Sequence, residues 1–391
     1  MASPTAIGCG CLLGAGGMSH LLAAEWSVQP IFSMQTDYDS DRNLSEGTSG
    51  SEEAVLYGDL KLQRAVESTQ ILLEPRFDLR RYSEDIWQPG NDVSLNGTFT
   101  WTGERVKLSL TGFIANQTTL TTEVLETGII AADARRRSSQ ASGEWDWYQN
   151  ERYAAFVQLA YQSSKYSGDA LLEYELPGYR YPSASVGEKM SVTDRTAVVA
   201  SLFGDALTSE RQGNSSHEAG VQLEVIHQFS ERISLDAAVG ESRRSLSGQR
   251  GSGTNASVNL SRTYERGSFT LNYTRSLIPY GTGFLVQRQQ FSAILVRSLT
   301  PTLDLNLTLM RVKNNASAVQ LGIDRPYYDN GVLGLSWRMG ESWTLQPQVS
   351  TNWTNPVEFT STGATINPAT VHEWRAQVTL VWQPLADSKS R

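Results

Sequence analysis

The sequence predicts an all-β chain: a transmembrane up-and-down antiparallel β-barrel of about 18 strands, with 16 as the lower count. Three observations predict it. Apolar and polar residues alternate with a period of two through most of residues 25–384. The connections between the alternating segments are short and long in turn. Aromatic residues collect at the segment ends.

The alternation is plainest at 301–313, where Leu303, Leu305, Leu307 and Leu309 are interleaved with Thr302, Asp304, Asn306 and Thr308. Successive strand residues point to opposite faces, so one face here is leucine and the other polar. Val93, Leu95, Phe99 and Trp101 oppose Ser94, Asn96, Thr98 and Thr100 in the same way. Trp374, Ala376, Val378, Leu380 and Trp382 oppose Arg375, Gln377 and Thr379. No comparable stretch has helical spacing with caps.

Taken in order, the expected strands are 26–39, 53–65, 68–80, 91–102, 105–117, 138–149, 152–164, 181–190, 195–208, 217–229, 232–244, 253–264, 267–278, 284–298, 302–313, 328–338, 342–353 and 373–384. Their length, about 10 to 14 residues, suits the ~9–11 residues of a tilted span. Pro177, Pro182 and the turn at Ser191–Asp194 blur the eighth and ninth. Tight turns are expected at 102–104, 150–151, 230–232, 265–267, 299–301 and 340–342. Longer polar links are expected at 40–52, 81–90, 118–137, 165–180, 209–216, 245–252, 279–283, 314–327 and 354–372. Tight turns at one end and long loops at the other describe a meander through a bilayer.

Composition excludes other classes. The chain has 391 residues, a formal charge of −8 and 32 glycines, and 39% of it is apolar. It lacks the run of about 20 apolar residues that a membrane helix needs. At 9% aromatic it is too aromatic for a disordered chain. Two cysteines, Cys9 and Cys11, cannot staple a disulfide scaffold. The acidic balance, with no basic block, argues against nucleic acid as a partner. A soluble β-sandwich would mix its loop lengths, and a propeller would repeat about every 40–50 residues with a signature per blade; neither pattern is present.

Residues 1–24 are small and apolar and end at Ala24, but contain no Lys or Arg. They are expected to be a degenerate secretory signal, the alternative being a soluble N-terminal extension. Residues 25–384 are expected to form one barrel, and 385–391 a short periplasmic tail.

If the polar face points inward, the lumen is lined by Asp37, Asp59, Lys61, Glu74, Arg76, Asp78, Arg80, Lys107, Glu144, Asp146, Glu224, Asp236, Arg288, Asp304, Arg338 and Arg375. Both signs are present, so the charges either pair across strands or set up a transverse field at a constriction. The row from Glu74 to Arg80 is the densest. The expected membrane-interface aromatics are Trp26, Trp101, Tyr153, Trp337, Trp343, Trp374 and Trp382. Links 118–137 and 165–180 are long enough to plug the lumen. The run Arg135-Arg136-Arg137, read as loop, could meet outer-membrane lipid and lipopolysaccharide.

Catalytic signals are weak. His217 lies near Ser215, Ser216 and Glu218, but serine is common here and chance proximity accounts for it. No Cys/His metal spacing follows residue 20, and Gly281-Thr-Gly283 and Gly251-Ser-Gly253 open no helix. The expectation is no enzyme, no metal and no cofactor.

The opening Trp26–Pro30 followed by Thr36–Leu44, the element Leu171–Pro177 with the turn Thr193-Asp194-Arg195, the hairpin Phe229–Leu235 and the segment Arg275–Val286 together resemble a bacterial family. It comprises outer-membrane β-barrels associated with exopolysaccharide and PEP-CTERM-type gene clusters, called beta-barrel porin-2-like. The resemblance spans most of 25–384 and rests on strand and turn idioms. It implies a Gram-negative outer-membrane location and a passive conduit in exopolysaccharide secretion, with a polysaccharide chain and periplasmic export components as partners. Such barrels often end on an aromatic residue, whereas here Trp382 is followed by nine more residues. Two other functions remain open at this point: a general diffusion porin or nutrient channel, and a non-channel surface barrel or adhesin.

Overall fold

The computed structural model describes residues 26–41, 50–83, 90–119, 134–167, 176–210, 215–246, 249–280, 284–315, 327–355, 357–360, 363–366 and 371–384. The expected signal, the expected tail, most of the expected plug 118–137 and half of 165–180 lie outside the described residues.

The strands are β1 (Trp26–Asp39), β2 (Ser51–Val66), β3 (Thr69–Tyr82), β4 (Asn91–Thr102), β5 (Val106–Thr118), β6 (Arg135–Tyr148), β7 (Tyr153–Ser167), β8 (Tyr179–Thr193), β9 (Thr196–Ser209) and β10 (Ser215–Ser230). They continue as β11 (Ile233–Leu246), β12 (Gln249–Tyr264), β13 (Gly267–Tyr280), β14 (Phe284–Thr300), β15 (Leu303–Asn315), β16 (Tyr327–Arg338) and β17 (Trp343–Asn355). A small hairpin, β18 (Val357–Thr360) and β19 (Gly363–Ile366), stands apart, and β20 (Val371–Trp382) completes the order. Eighteen strands make one sheet in which each pairs antiparallel with its chain neighbours. β20 pairs with β17 on one side and with β1 on the other, from Phe32↔Trp382 to Asp39↔Arg375, so the sheet is a closed barrel.

The tight turns share a local code. The Oδ1 of Asn150 accepts from the N–H groups of Arg152 and Tyr153, at 2.9 and 3.1 Å. Thr193, Ser230 and Thr300 each present a hydroxyl to the N–H two residues on, at 3.2, 3.3 and 3.3 Å. Short polar side chains at these positions replace a ladder bond with a turn bond. At the last three the register also slips by one residue, which ends the pairing cleanly. Gly267 has a φ of 154°, and a Cβ there would lie 2.1 Å from the Val296 carbonyl oxygen, so this turn requires glycine.

The faces are inverted relative to a soluble protein. Large apolar side chains are exposed, among them Val28, Met34, Leu159, Leu202 and Val239, while Glu53, Asp92, Arg136 and Glu218 are buried. By register, the exposed apolar set falls on one face and the buried polar set on the other. A continuous apolar exterior on a closed sheet is a lipid-facing surface. At its edges Trp26, Trp101, Tyr153, Trp337, Trp343 and Trp374 are exposed. Trp382 is half-buried because it stacks on Phe32, with ring centroids 5.8 Å apart, and leans on Trp343.

The strands outrun their expected limits at the long-loop end. The expected links 245–252 and 279–283 shrink to 247–248 and 281–283, because β11 to β14 continue through them. Alternation read from apolar residues marks only the lipid-facing part. Above it the outward positions turn polar, as at Arg311 and Lys313 on β15, yet the ladder persists. The same effect corrects the basic run. Arg135–Arg137 opens β6 and is not loop, and its residues take alternate faces, with Arg136 buried.

Leu307 sits mid-strand on the exterior, in register with Leu295 and Leu333. Leu307→Arg should destabilise the barrel by about 2–4 kcal/mol. Asn306→Arg, on the inner face, should cost much less. Reversible urea unfolding in lipid vesicles measures the difference.

Candidate functional site on the inner face

The inner face at the long-loop end carries a polar network that runs across the closing seam. Its centre is Glu53 on β2, whose two carboxylate oxygens meet different arginines: Oε1 lies 2.7 Å from Arg80 Nη1 and Oε2 3.2 Å from Arg375 Nη2. Arg375 Nη2 also lies 2.7 Å from Asp37 Oδ2, which joins β20 to β1. Arg80 reaches Asp78 at 3.3 Å and Asp92 at 3.4 Å, which joins β3 to β4. Arg76 completes the row, 2.8 Å from Asp78 and 3.7 Å from Asp59. Tyr57 lies beneath both guanidiniums, 4.7 Å from Arg76 and 5.9 Å from Arg80. Its hydroxyl donates to Gln35, which donates to Asp37.

Neutral groups extend the network from β20 to β17 and β16. Asn352 Nδ2 donates to Glu373 at 2.8 Å, and Asn352 Oδ1 accepts from Tyr328 and Asn330. At the other margin Arg135 binds Asp92 at 2.9 Å and caps the carbonyls of Asn91 and Asn116. A second, smaller network sits further round the wall. Arg244 Nε lies 3.0 Å from Glu218 Oε1, Asn255 bonds both, and Ser242 donates to Glu218. Gly253 makes room for it, since a Cβ there would lie 1.8 Å from the Arg244 guanidinium carbon.

Of the residues singled out from sequence, Asp37, Asp59, Arg76, Asp78, Arg80 and Arg375 are brought together in the seam network. Glu74 accepts from Asn96 on β4. Lys107 and Asp146 face one another in register, with Glu144 two positions along. Glu224 and Asp236 lie on adjacent strands in the shared register of β10 and β11. Asp304 and Arg338 meet at 3.8 Å near the tight turns. Lys61 pairs in register with Gln29, and Arg288 with Ser276, both away from the seam. His217 and Glu218 are split between faces, for Glu218 belongs to the Arg244 network.

Sequence reasoning missed Glu53, Asp92, Glu373, Glu218 and Arg244. Each continues the polar parity of its strand past the apolar belt, which is the signal that would have found them.

One apolar feature interrupts this polar face. Tyr179 on β8, Leu207 on β9, Leu277 on β13 and Leu285 on β14 form a buried cluster, with Tyr181 packed against it. Three strands separate β9 from β13 in the sheet, so the cluster bridges the lumen rather than following the wall.

No protein-family model matches the chain, and no curated protein does. Among solved structures it is similar to the FrpB iron transporter from Neisseria meningitidis (F3-3 variant) at 10% identity, over 93% of this chain and 82% of that one, with a TM-score of 0.44. It is similar to Pseudomonas aeruginosa OccK11 (OpdR) at 11% identity, over 92% and 96%, with a TM-score of 0.45. For Pseudomonas aeruginosa OccK8 (OprE) the values are 9%, 92%, 98% and 0.46.

Arg375→Ala leaves Asp37 and Glu53 without their shared cation and should destabilise the barrel by about 3–5 kcal/mol. Adding Asp37→Asn should restore part of that loss, because the stranded charge is then removed. A double-mutant cycle in vesicles reads the coupling.

Proposed function

We propose that this chain is a passive channel of the Gram-negative outer membrane, and that its cargo is an extracellular polysaccharide strand on its way out of the cell. The observation that carries the reading is a closed 18-strand sheet with an apolar exterior and a charged, hydrogen-bonding interior. A barrel of 16–18 strands encloses an aqueous lumen unless something fills it. Ion pairing ties the carboxylates of the seam network to its arginines, so the wall offers both signs at once, which suits a polymer of hydroxyls better than one small ion of fixed sign. Arginine, asparagine and carboxylate side chains along this wall offer the hydrogen bonds that sugar hydroxyls take. The family resemblance supports the same cargo. The bridge of Tyr179, Leu207, Leu277 and Leu285 narrows the outer end and sets the resting aperture.

Two measurements test this. In planar bilayers the wild type should conduct weakly, and Leu277→Ala with Leu285→Ala should conduct more, as the bridge loses its side chains. Deleting the gene should leave polysaccharide inside the cell. Unchanged surface polysaccharide from a strain whose purified protein conducts would instead assign a general diffusion porin.

A further inference from the structure

On the exterior of β6 to β8 the register aligns three cations. Arg137 stands directly opposite Lys165. One row below, Ser139 faces Ser163, and Ser163 faces Arg180 on the next strand. All three cationic side chains are exposed, and the two serine hydroxyls lie 2.9 Å apart between them. Among the described residues none of the three cations has an ion-pair or hydrogen-bond partner. A carboxylate, that of Glu210, folds over Gly178 at the upper edge, which leaves the group net positive.

Like charges directly opposite on a sheet repel and destabilise the pairing. On the inner face Arg80 and Arg244 each have a carboxylate within reach. Among the described residues the exterior trio has none, so it presents its charge to an anion that approaches from outside. Its height says from where. Immediately below come Tyr161, then Leu159, then the row of Trp145, Val157 and Val186, all exposed and apolar or aromatic. The cations therefore crown the lipid-facing belt at the long-loop end, at the depth of lipid headgroups.

We propose that Arg137, Lys165 and Arg180, with the hydroxyls of Ser139 and Ser163, form a binding site for the phosphorylated headgroup of an outer-leaflet lipid. The lipid's chains would lie along Tyr161, Leu159 and Val157. Arginine and lysine around a phosphate make charge-assisted hydrogen bonds, and serine hydroxyls complete its shell. The assignment rests on the reading of the chain as an outer-membrane barrel.

The test extracts three proteins from membranes in mild detergent: wild type, Arg137→Gln/Lys165→Gln/Arg180→Gln, and Arg243→Gln, an exposed exterior cation on β11 away from the trio. Heat-modifiable gel migration establishes for each that a folded barrel is present. Lipid phosphorus retained per barrel is then measured by native mass spectrometry. Wild type and Arg243→Gln should retain phosphorylated lipid, and the triple variant roughly tenfold less or lower still. Should the triple variant not fold, Lys165→Gln alone should still show a clear loss. Equal retention by folded wild type and folded variants overturns the site. So does displacement of the lipid by millimolar inorganic phosphate alone, which would assign a free anion as the ligand. A wild type that never reaches the membrane fraction overturns the barrel reading instead, and is recognised by its migration before any lipid is measured.

Discussion

A sheet edge in lipid leaves a row of backbone N–H and C=O groups with no hydrogen-bond partner, at a cost of several kcal/mol for each. The chain escapes this by joining its last strand to its first. From Phe32↔Trp382 to Asp39↔Arg375 the β1–β20 seam is a regular antiparallel ladder. It is reinforced on both faces. Outside, Phe32 stacks on Trp382 near the tight-turn end, and Tyr38 packs at a tilt against Trp374 near the long-loop end. Inside, Arg375 reaches Asp37 across the seam and Glu53 one strand further. Below Phe32, β1 keeps only β2 as a neighbour, and Pro30, which has no N–H to leave unpaired, lies in that overhang.

Closure then dictates the two faces. Once strands cannot end at an edge, parity decides across the apolar belt which side chain meets lipid and which meets the lumen, while at the tips of β13 and β14 Leu277 and Leu285 have exterior parity and still pack on Tyr179 and Leu207. The exterior bears leucine, valine and tryptophan because lipid accepts them. The interior bears Arg80, Glu53 and Asp92 packed against one another because each charge there finds an opposite one. The same rule explains why the exterior trio of Arg137, Lys165 and Arg180 stands out: it is charge on the lipid side, set just where lipid itself becomes polar. The bridge from Leu277 and Leu285 to Leu207 is the counterpart, a buried apolar contact at the long-loop end of a polar inner face.

Strand number, direction and closure were legible because a period of two persists where one face meets lipid. Tight turns were legible at Thr193 and Ser230 because a short hydroxyl side chain there has a defined backbone partner. Strand ends were not, because outward positions such as Arg311 are polar above the belt while the backbone ladder continues. Arg135–Arg137 misled for that reason. The Arg80–Glu53 pair was half legible: Arg80 belonged to a dense charged row, but Glu53 lies near a loop and is joined to it only by register. The bridge was invisible, since Leu207 and Leu277 are far apart in the chain and each is one more apolar residue in its own strand.

The central claim is that one closed sheet crosses a bilayer with a wet inner and a greasy outer face. Single cysteines placed in turn at 303–312 on β15, in a background where Cys9 and Cys11 are serine, test it directly in intact vesicles. A lipid-soluble quencher of an attached fluorophore and a membrane-impermeant thiol reagent are the two probes. The account predicts quenching at odd positions and aqueous labelling at even ones, in strict alternation from Leu303 to Leu309, with aqueous access on both faces by Arg311. Uniform aqueous labelling, or a period near 3.6, would contradict it.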